Sequence, residues 1–329
     1  MDALTVQFPG SGVETWILLP PLVAFVVSTF TSMGGVSGAF ILLPFQMSVL
    51  DFTTPSVSST NFIYNIVAIP SGVYRYFKEG RMAWPLTWVV LVGTLPGLLI
   101  GYYLRIKYLP DPSSFKLFVG CVLLYIGGRL LYELTGRAKA GRNKRGDLDL
   151  KFAMRSRQIR EQRQSRTAAG LPPEAVVKTV SFSIKRVEYE FWGERFGFSV
   201  PAMLLLAFVV GVIGGTYGIG GGAIIAPFCV AVFRLPIYTV AGAALLGTFL
   251  TSILGVAIYS VVPIAGADGV ASTWPPDVAL GVLFGIGGFA GMYLGARLQK
   301  HVPQKFIKLL LGVMILALAL QYIGQYFLN

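Results

Sequence analysis

Acidic side chains are almost absent from the apolar stretches of this chain, and that absence narrows its chemistry first. The 329 residues hold 15 Asp and Glu, and the cores of ten hydrophobic segments contain none apart from Glu133, at the edge of the fifth. An intramembrane cation pump or a carboxylate proton relay normally needs such a group. Histidine occurs once, as His301, with no Cys, Asp or Glu close by in sequence, which argues against a metal site. No paired intramembrane carboxylates offer acid–base work, and no G-x-x-x-x-G-K-[ST] phosphate loop occurs. We therefore expect no enzyme, no cofactor and no metal. The only two cysteines, Cys121 and Cys229, both fall in apolar runs, so buried inert thiols are expected in place of a disulfide. The first residues, MDALTVQFPGSGVETW, carry no Lys or Arg ahead of the first apolar run. They lack the basic start of a secretory signal, so the first helix is expected to be retained.

Charge is scarce overall, at 13% of residues against 54% hydrophobic, where soluble domains carry about a quarter charged. Apolar segments recur that are long enough, at about 1.5 Å per residue, to cross a bilayer of about 30 Å. They lie near Trp16–Met33, Ala39–Leu50, Val57–Phe77, Trp84–Leu104, Phe115–Leu131, Val200–Gly215, Ala223–Phe233, Tyr238–Val262, Val278–Leu298 and Phe306–Phe327. The fold expected is an all-α integral membrane protein. The net charge of +12 is mostly a loop property: Arg137–Arg195 holds 15 of the 27 Lys and Arg and 7 of the 15 acids, a local net of +8. Such a loop marks the cytoplasmic side and meets anionic lipid heads, so no nucleic-acid partner is expected. Within it, VVKTVSFSIKRVEYEFWGERFGFSV alternates apolar and polar residues around a Gly, the pattern of a small β-hairpin or meander.

The first five segments match the second five. Gly38 and Pro44 map onto Gly221 and Pro227 at a shift of 183, Pro55 onto Pro236 at 181, and Lys116 and Gly120 onto Lys308 and Gly312 at 192. This reads as a duplication: a first repeat at 1–135, a basic cytoplasmic loop at 136–198 and a second repeat at 199–329. An odd number of spans per repeat would invert the second copy. The charges fit: Arg75, Lys78, Arg81, Arg234, Arg297, Lys300 and Lys305 fall inside with the loop, and the Lys-free stretch Pro263–Pro276 falls outside with both termini. Arg105 and Lys107 dissent, landing outside.

Two of the segments, Ala39–Leu50 and Ala223–Phe233, have about a dozen residues and reach only about 18 Å. Each follows a glycine cluster, GGVSG at 34–38 and GGTYGIGGG at 214–222, and each contains a proline. Short Gly/Pro-interrupted segments at corresponding positions point to a transporter's central site. Their first-turn N–H groups are unpaired and sit at the positive end of a helix dipole, which suits an anion. The candidate substrate-binding residues are Gly35, Ser37, Gly38, Thr60, Asn61, Asn65, Tyr217, Gly218, Gly220, Gly221, Gly222 and Thr248, with Thr251 and Ser252 as further neutral polar groups. Close helix packing competes as an explanation of the glycines, and is the reading for Gly97/Gly101 and Gly291/Gly295. Asn61 and Asn65, one turn apart, either line the path or bond helices together. Lys116 and Lys308 either snorkel or guide an anion, and Arg129 with Glu133 forms a local pair.

The stretch GGTYGIGGGAIIAPF followed by RLPIYTVAGAALLGTFLTS resembles the second-repeat signature of the sulfite exporter TauE/SafE family, and GGVSGAFILLPF with PSVSSTNF resembles its first-repeat partner. The likeness runs from about residue 16 to 327, with the basic loop inserted between the halves. The first copy departs in carrying Ser37 and Ala39 where the second has Gly220 and Gly222. The resemblance implies a secondary transporter of the cell membrane that exports a small anion such as a sulfur oxyanion or organosulfonate. The alternatives are an anion channel, or a membrane scaffold that docks a partner protein on the cytoplasmic hairpin. Homo-oligomerisation is left open.

Overall fold

The computed structural model describes residues 4–132, 134, 176–191, 193–222, 224–265, 270–298 and 304–328. The expectations for Glu133, His301, Lys300, the side chains of Lys305 and Lys308, and the basic loop before residue 176 lie outside them.

Among the described residues ten helices appear, one for each apolar segment. They are α1 (Leu19–Met33), α2 (Ala39–Val49), α3 (Ser56–Lys78), α4 (Trp84–Tyr108), α5 (Pro112–Tyr132), α6 (Val200–Tyr217), α7 (Ile225–Ala231), α8 (Ile237–Val261), α9 (Val278–Leu298) and α10 (Gln304–Leu328). Stretches within α4, α6, α8 and α9 are long and apolar enough to cross a membrane. Proline at the first turn starts α1, α4 and α6, where its missing N–H costs nothing. The chain is a multi-pass helical membrane protein.

Small residues set how closely these helices approach. A Cβ at Gly97 on α4 would lie 2.7 Å from the Val212 nitrogen of α6, and one at Gly291 on α9 would lie 3.0 Å from Ser28 of α1. Backbones packed this closely replace the hydrophobic effect, which does not drive association inside lipid. Gly93 faces Ala207 and Gly101 faces Thr216, so α4 and α6 run in the same direction; Gly287 faces Pro21 and Gly295 faces Ser32, so α9 and α1 do too. By contrast, Gly242 lies against Tyr76 and Gly255 against Phe62, so α3 and α8 run antiparallel. Gly120 against Ile323 and Gly127 against Leu316 make α5 and α10 antiparallel as well. The pairings exchange when each helix is replaced by the one five places on: α4 with α6 becomes α9 with α1, and α3 with α9 becomes α8 with α4.

Strands β3 (Lys178–Phe182), β4 (Arg186–Phe191) and β5 (Glu194–Ser199) form the expected antiparallel meander. Its inward face carries Val187, Tyr189, Phe191 and Phe198, all buried. Tyr189 Oη shares a 2.9 Å hydrogen bond with Thr239 Oγ1 at the start of α8, and burial pushes its phenol above the ordinary value. The Val177 amide donates to the Gly80 carbonyl at 2.9 Å, so the meander also clasps the α3–α4 turn. Arg81 and Arg75 pair with Glu79 in that same turn. At the opposite end lie β1 (Thr5–Gln7) and β2 (Glu14–Trp16), a hairpin the sequence reading omits, and β6 (Ile264–Ala265) with β7 (Ala271–Ser272).

Two expectations need correction. Cys121 is exposed on the outer surface of α5, while Cys229 is buried beside Met203; an apolar run on a peripheral helix presents one face outward. Arg105 is not a loop charge: it lies in the last turn of α4, fully buried. Its dissent from the charge pattern therefore has a structural cause.

Candidate functional site

The two glycine loops repeat each other's backbone at a fixed offset. Gly35 (φ +70°) and Gly218 (φ +83°), 183 residues apart, both take the left-handed conformation that a Cβ disfavours. The Val36 amide donates to Thr31 O at 3.2 Å, and 183 residues on the Ile219 amide donates to Gly214 O at 3.0 Å. Past the short helices the match continues: Asp51 (φ 52°) and Arg234 (φ 57°) share the left-handed region. Phe52 N bonds Gln46 O at 3.0 Å as Leu235 N bonds Cys229 O at 3.2 Å. One difference stands out in length, since α2 has 11 residues and α7 only 7. Only α2 is long enough to carry a substantial dipole.

Asn61 and Asn65 of α3 tie the loops together. Asn61 Nδ2 donates to the Ala39 carbonyl at 3.0 Å and to the Gly218 carbonyl at 3.2 Å, one in each loop. Asn65 Nδ2 donates to Ile219 O at 3.0 Å and Ser252 Oγ at 3.1 Å, while its Oδ1 accepts from Ser37 Oγ at 2.5 Å. Both amides spend their N–H groups on the protein. Their helical spacing on one face is what lets them do so. Between path lining and interhelical bonding, the geometry is that of bonding.

Proline explains a third tie. Pro44 cannot donate to the carbonyl four residues back, and that carbonyl, Phe40 O, accepts instead from Tyr217 Oη at 2.6 Å. Tyr217 thus reaches from the second loop into the first. Gln46, which the sequence reading passed over, is fully buried on α2; its Nε2 approaches Asn61 Oδ1 at 3.5 Å. Its Oε1 has no donor among the described residues. The signal available was one amide in an otherwise nearly apolar eleven-residue helix.

What the loops leave unpaired is backbone. Ser37 Oγ accepts from Ala39 N at 3.2 Å, and Gly221 N donates to Thr251 Oγ1 at 3.1 Å. The N–H groups of Ser37, Gly38, Phe40, Gly220 and Gly222, all buried, find no acceptor among the described residues. Buried N–H groups are almost always paired, so this cluster can hold an acceptor-rich group. The glycines are also tight. A Cβ at Gly222 would lie 2.7 Å from Thr248 Oγ1, and one at Gly221 would lie 2.5 Å from the Cβ of Thr94.

Thr248, Thr251 and Ser252 lie on α8 behind the second loop, and the Thr248 and Thr251 hydroxyls bond to their own helix. Thr60 stands apart from the other candidates. Its Oγ1 accepts from Asp277 N at 2.9 Å, at the cap of α9, where Asp277 Oδ1 in turn accepts from Leu280 N at 3.0 Å. A lateral recess of about 330 Å³ between α3, α4 and α8 is lined by Val73, Phe77, Trp84 and Phe249 among others and is apolar throughout. It does not touch the loops.

A family model described as sulfite exporter TauE/SafE matches residues 21–322. The chain is 22% identical over 224 residues to a protein of Bacillus subtilis (strain 168) named probable membrane transporter protein YunE, covering 65% of this chain and 67% of that one. No solved structure matches.

Proposed function

Since the chain belongs to the sulfite exporter TauE/SafE family, we propose that it moves a small anion, a sulfur oxyanion or organosulfonate such as sulfite, out across the cell membrane by alternating access. The observation that carries this is the set of unpaired buried N–H groups at Ser37, Gly38, Phe40, Gly220 and Gly222. Backbone N–H groups bind an anion without a basic side chain, and with no acceptor to compete they are ready to do so. Gly35, Gly218 and Gly221 hold the loops in shape. Asn61, Asn65 and Tyr217 hold them together, and Thr248 backs them.

Two inverted repeats give the site its symmetry in this reading. Helices that correspond across the repeat, α3 with α8 and α5 with α10, run antiparallel. That is the relation expected of a two-fold axis lying in the membrane plane. The meander end, with Arg75, Arg81 and Arg234, is cytoplasmic; the end with β6 and β7 and both termini is outside. An inside-negative potential then favours export of an anion.

The test is anion flux in proteoliposomes under a set potential, comparing sulfite, sulfate, thiosulfate and a small sulfonate. Saturable flux of one sulfur anion is the expected result. Flux that rises linearly with concentration would replace the transporter by a channel, and no flux of any of the four would overturn the substrate class.

A further inference from the structure

Arg105 is the one fully buried arginine among the described residues, at 0% exposure. Its Nη1 donates to the Leu109 carbonyl, and the guanidinium lies 3.7 Å from the centroid of the Phe115 ring. Nε and Nη2 have no partner among the described residues. Those two atoms form one edge of the guanidinium, whose parallel N–H bonds match two oxygens of a single oxyanion. A buried cation with no carboxylate beside it is costly, and packing alone would be served by an apolar residue.

The surroundings supply a route. Arg105 lies in electrostatic range of Tyr259, whose ring meets Tyr102 at 4.4 Å and Phe62 at 5.7 Å. The Tyr259 carbonyl accepts from Trp274 N at 2.8 Å. Trp274 Nε1 is a second buried donor without a partner among the described residues. Ser59 Oγ donates to Trp274 O at 2.8 Å, and its neighbour Ser58 packs on Gly218. One turn of α3 and one aromatic cluster therefore connect Arg105 to the glycine loops, at the end away from the meander.

We propose that Arg105 is a second anion station, separate from the loops, which takes an oxyanion of the sulfite or sulfonate type on its Nε/Nη2 edge. The edge is closed in this conformation and opens when the outer end does. The proposal rests on the reading above in assuming that one anion visits both places.

Calorimetric titration of the detergent-solubilised full chain with sulfite and with methanesulfonate, in chloride-free buffer, tests it. The wild type should bind two anions, Arg105→Gln one, and Gly222→Ala should keep the one that Arg105→Gln loses. Unchanged stoichiometry and affinity in Arg105→Gln would overturn the proposal, as would failure of the folded wild type to bind either probe. A Gly222→Ala titration identical to wild type would sink the loop reading and leave Arg105 standing. Should Arg105→Gln aggregate, Arg105→Lys decides: it keeps the charge and loses the fork, so one site should weaken at least tenfold. Equal affinity would overturn the station.

Discussion

The loop before α2 and the loop before α7 share a backbone path but use different atoms to hold it. In the first, a side chain does the bonding: Ser37 caps Ala39 N and donates to Asn65. In the second the equivalent position is Gly220 at φ +86°, a conformation that an L side chain rarely adopts. There Asn65 reaches the Ile219 carbonyl directly. The second loop thus trades side chain for close approach. A duplicated element keeps its geometry while its chemistry drifts, and the α3 asparagines absorb the difference.

Removing what the loops share should have the largest effect. Asn61→Ala would strand the Ala39 and Gly218 carbonyls and the Gln46 amide, at about 1–3 kcal/mol for each buried group. A loss of about 3 kcal/mol or more is expected, with flux abolished; a wild-type unfolding midpoint in detergent would show that the tie is dispensable. Next come Gly35→Ala and Gly218→Ala, which both force a Cβ into the left-handed region and against a facing helix. Each should lose roughly 1–2 kcal/mol from conformation alone and more from contact. A loss at one site only would break the equivalence.

Exchanging the residues that differ sharpens the contrast. Ser37→Gly should cost about 1 kcal/mol for its hydrogen bonds, and Gly220→Ser should cost more, because φ and the 2.9 Å approach of Thr248 Cγ2 both oppose it. The reverse order of unfolding midpoints would refute this account of the loops. The smallest effect is expected at Asp51 and Arg234. Relief of left-handed strain by Asp51→Gly or Arg234→Gly is offset by the chain entropy of glycine, so each should move stability by less than about 1 kcal/mol, with the same sign.

Much of this was legible in the sequence because it depends on order and spacing. Ten apolar runs became ten helices, the offset of 183 reappeared in hydrogen bonds, and Asn61 and Asn65 share a face. What was not legible depends on which face meets which neighbour. Thr60, about 100° around the helix from Asn61, points to the α9 cap instead of the loops. Gln46 and Arg105 looked ordinary, a lone amide and a loop cation, until packing buried them. Nothing in the spacing of 223–233 set α7 at seven residues.

The most direct measurement is a crystal of the full chain soaked with selenite, with selenium located by its anomalous signal. The account predicts a peak within hydrogen-bond distance of the unpaired N–H groups of Ser37, Gly38, Gly220 and Gly222. Selenium bound elsewhere, with those groups paired to water or protein alone, would contradict it.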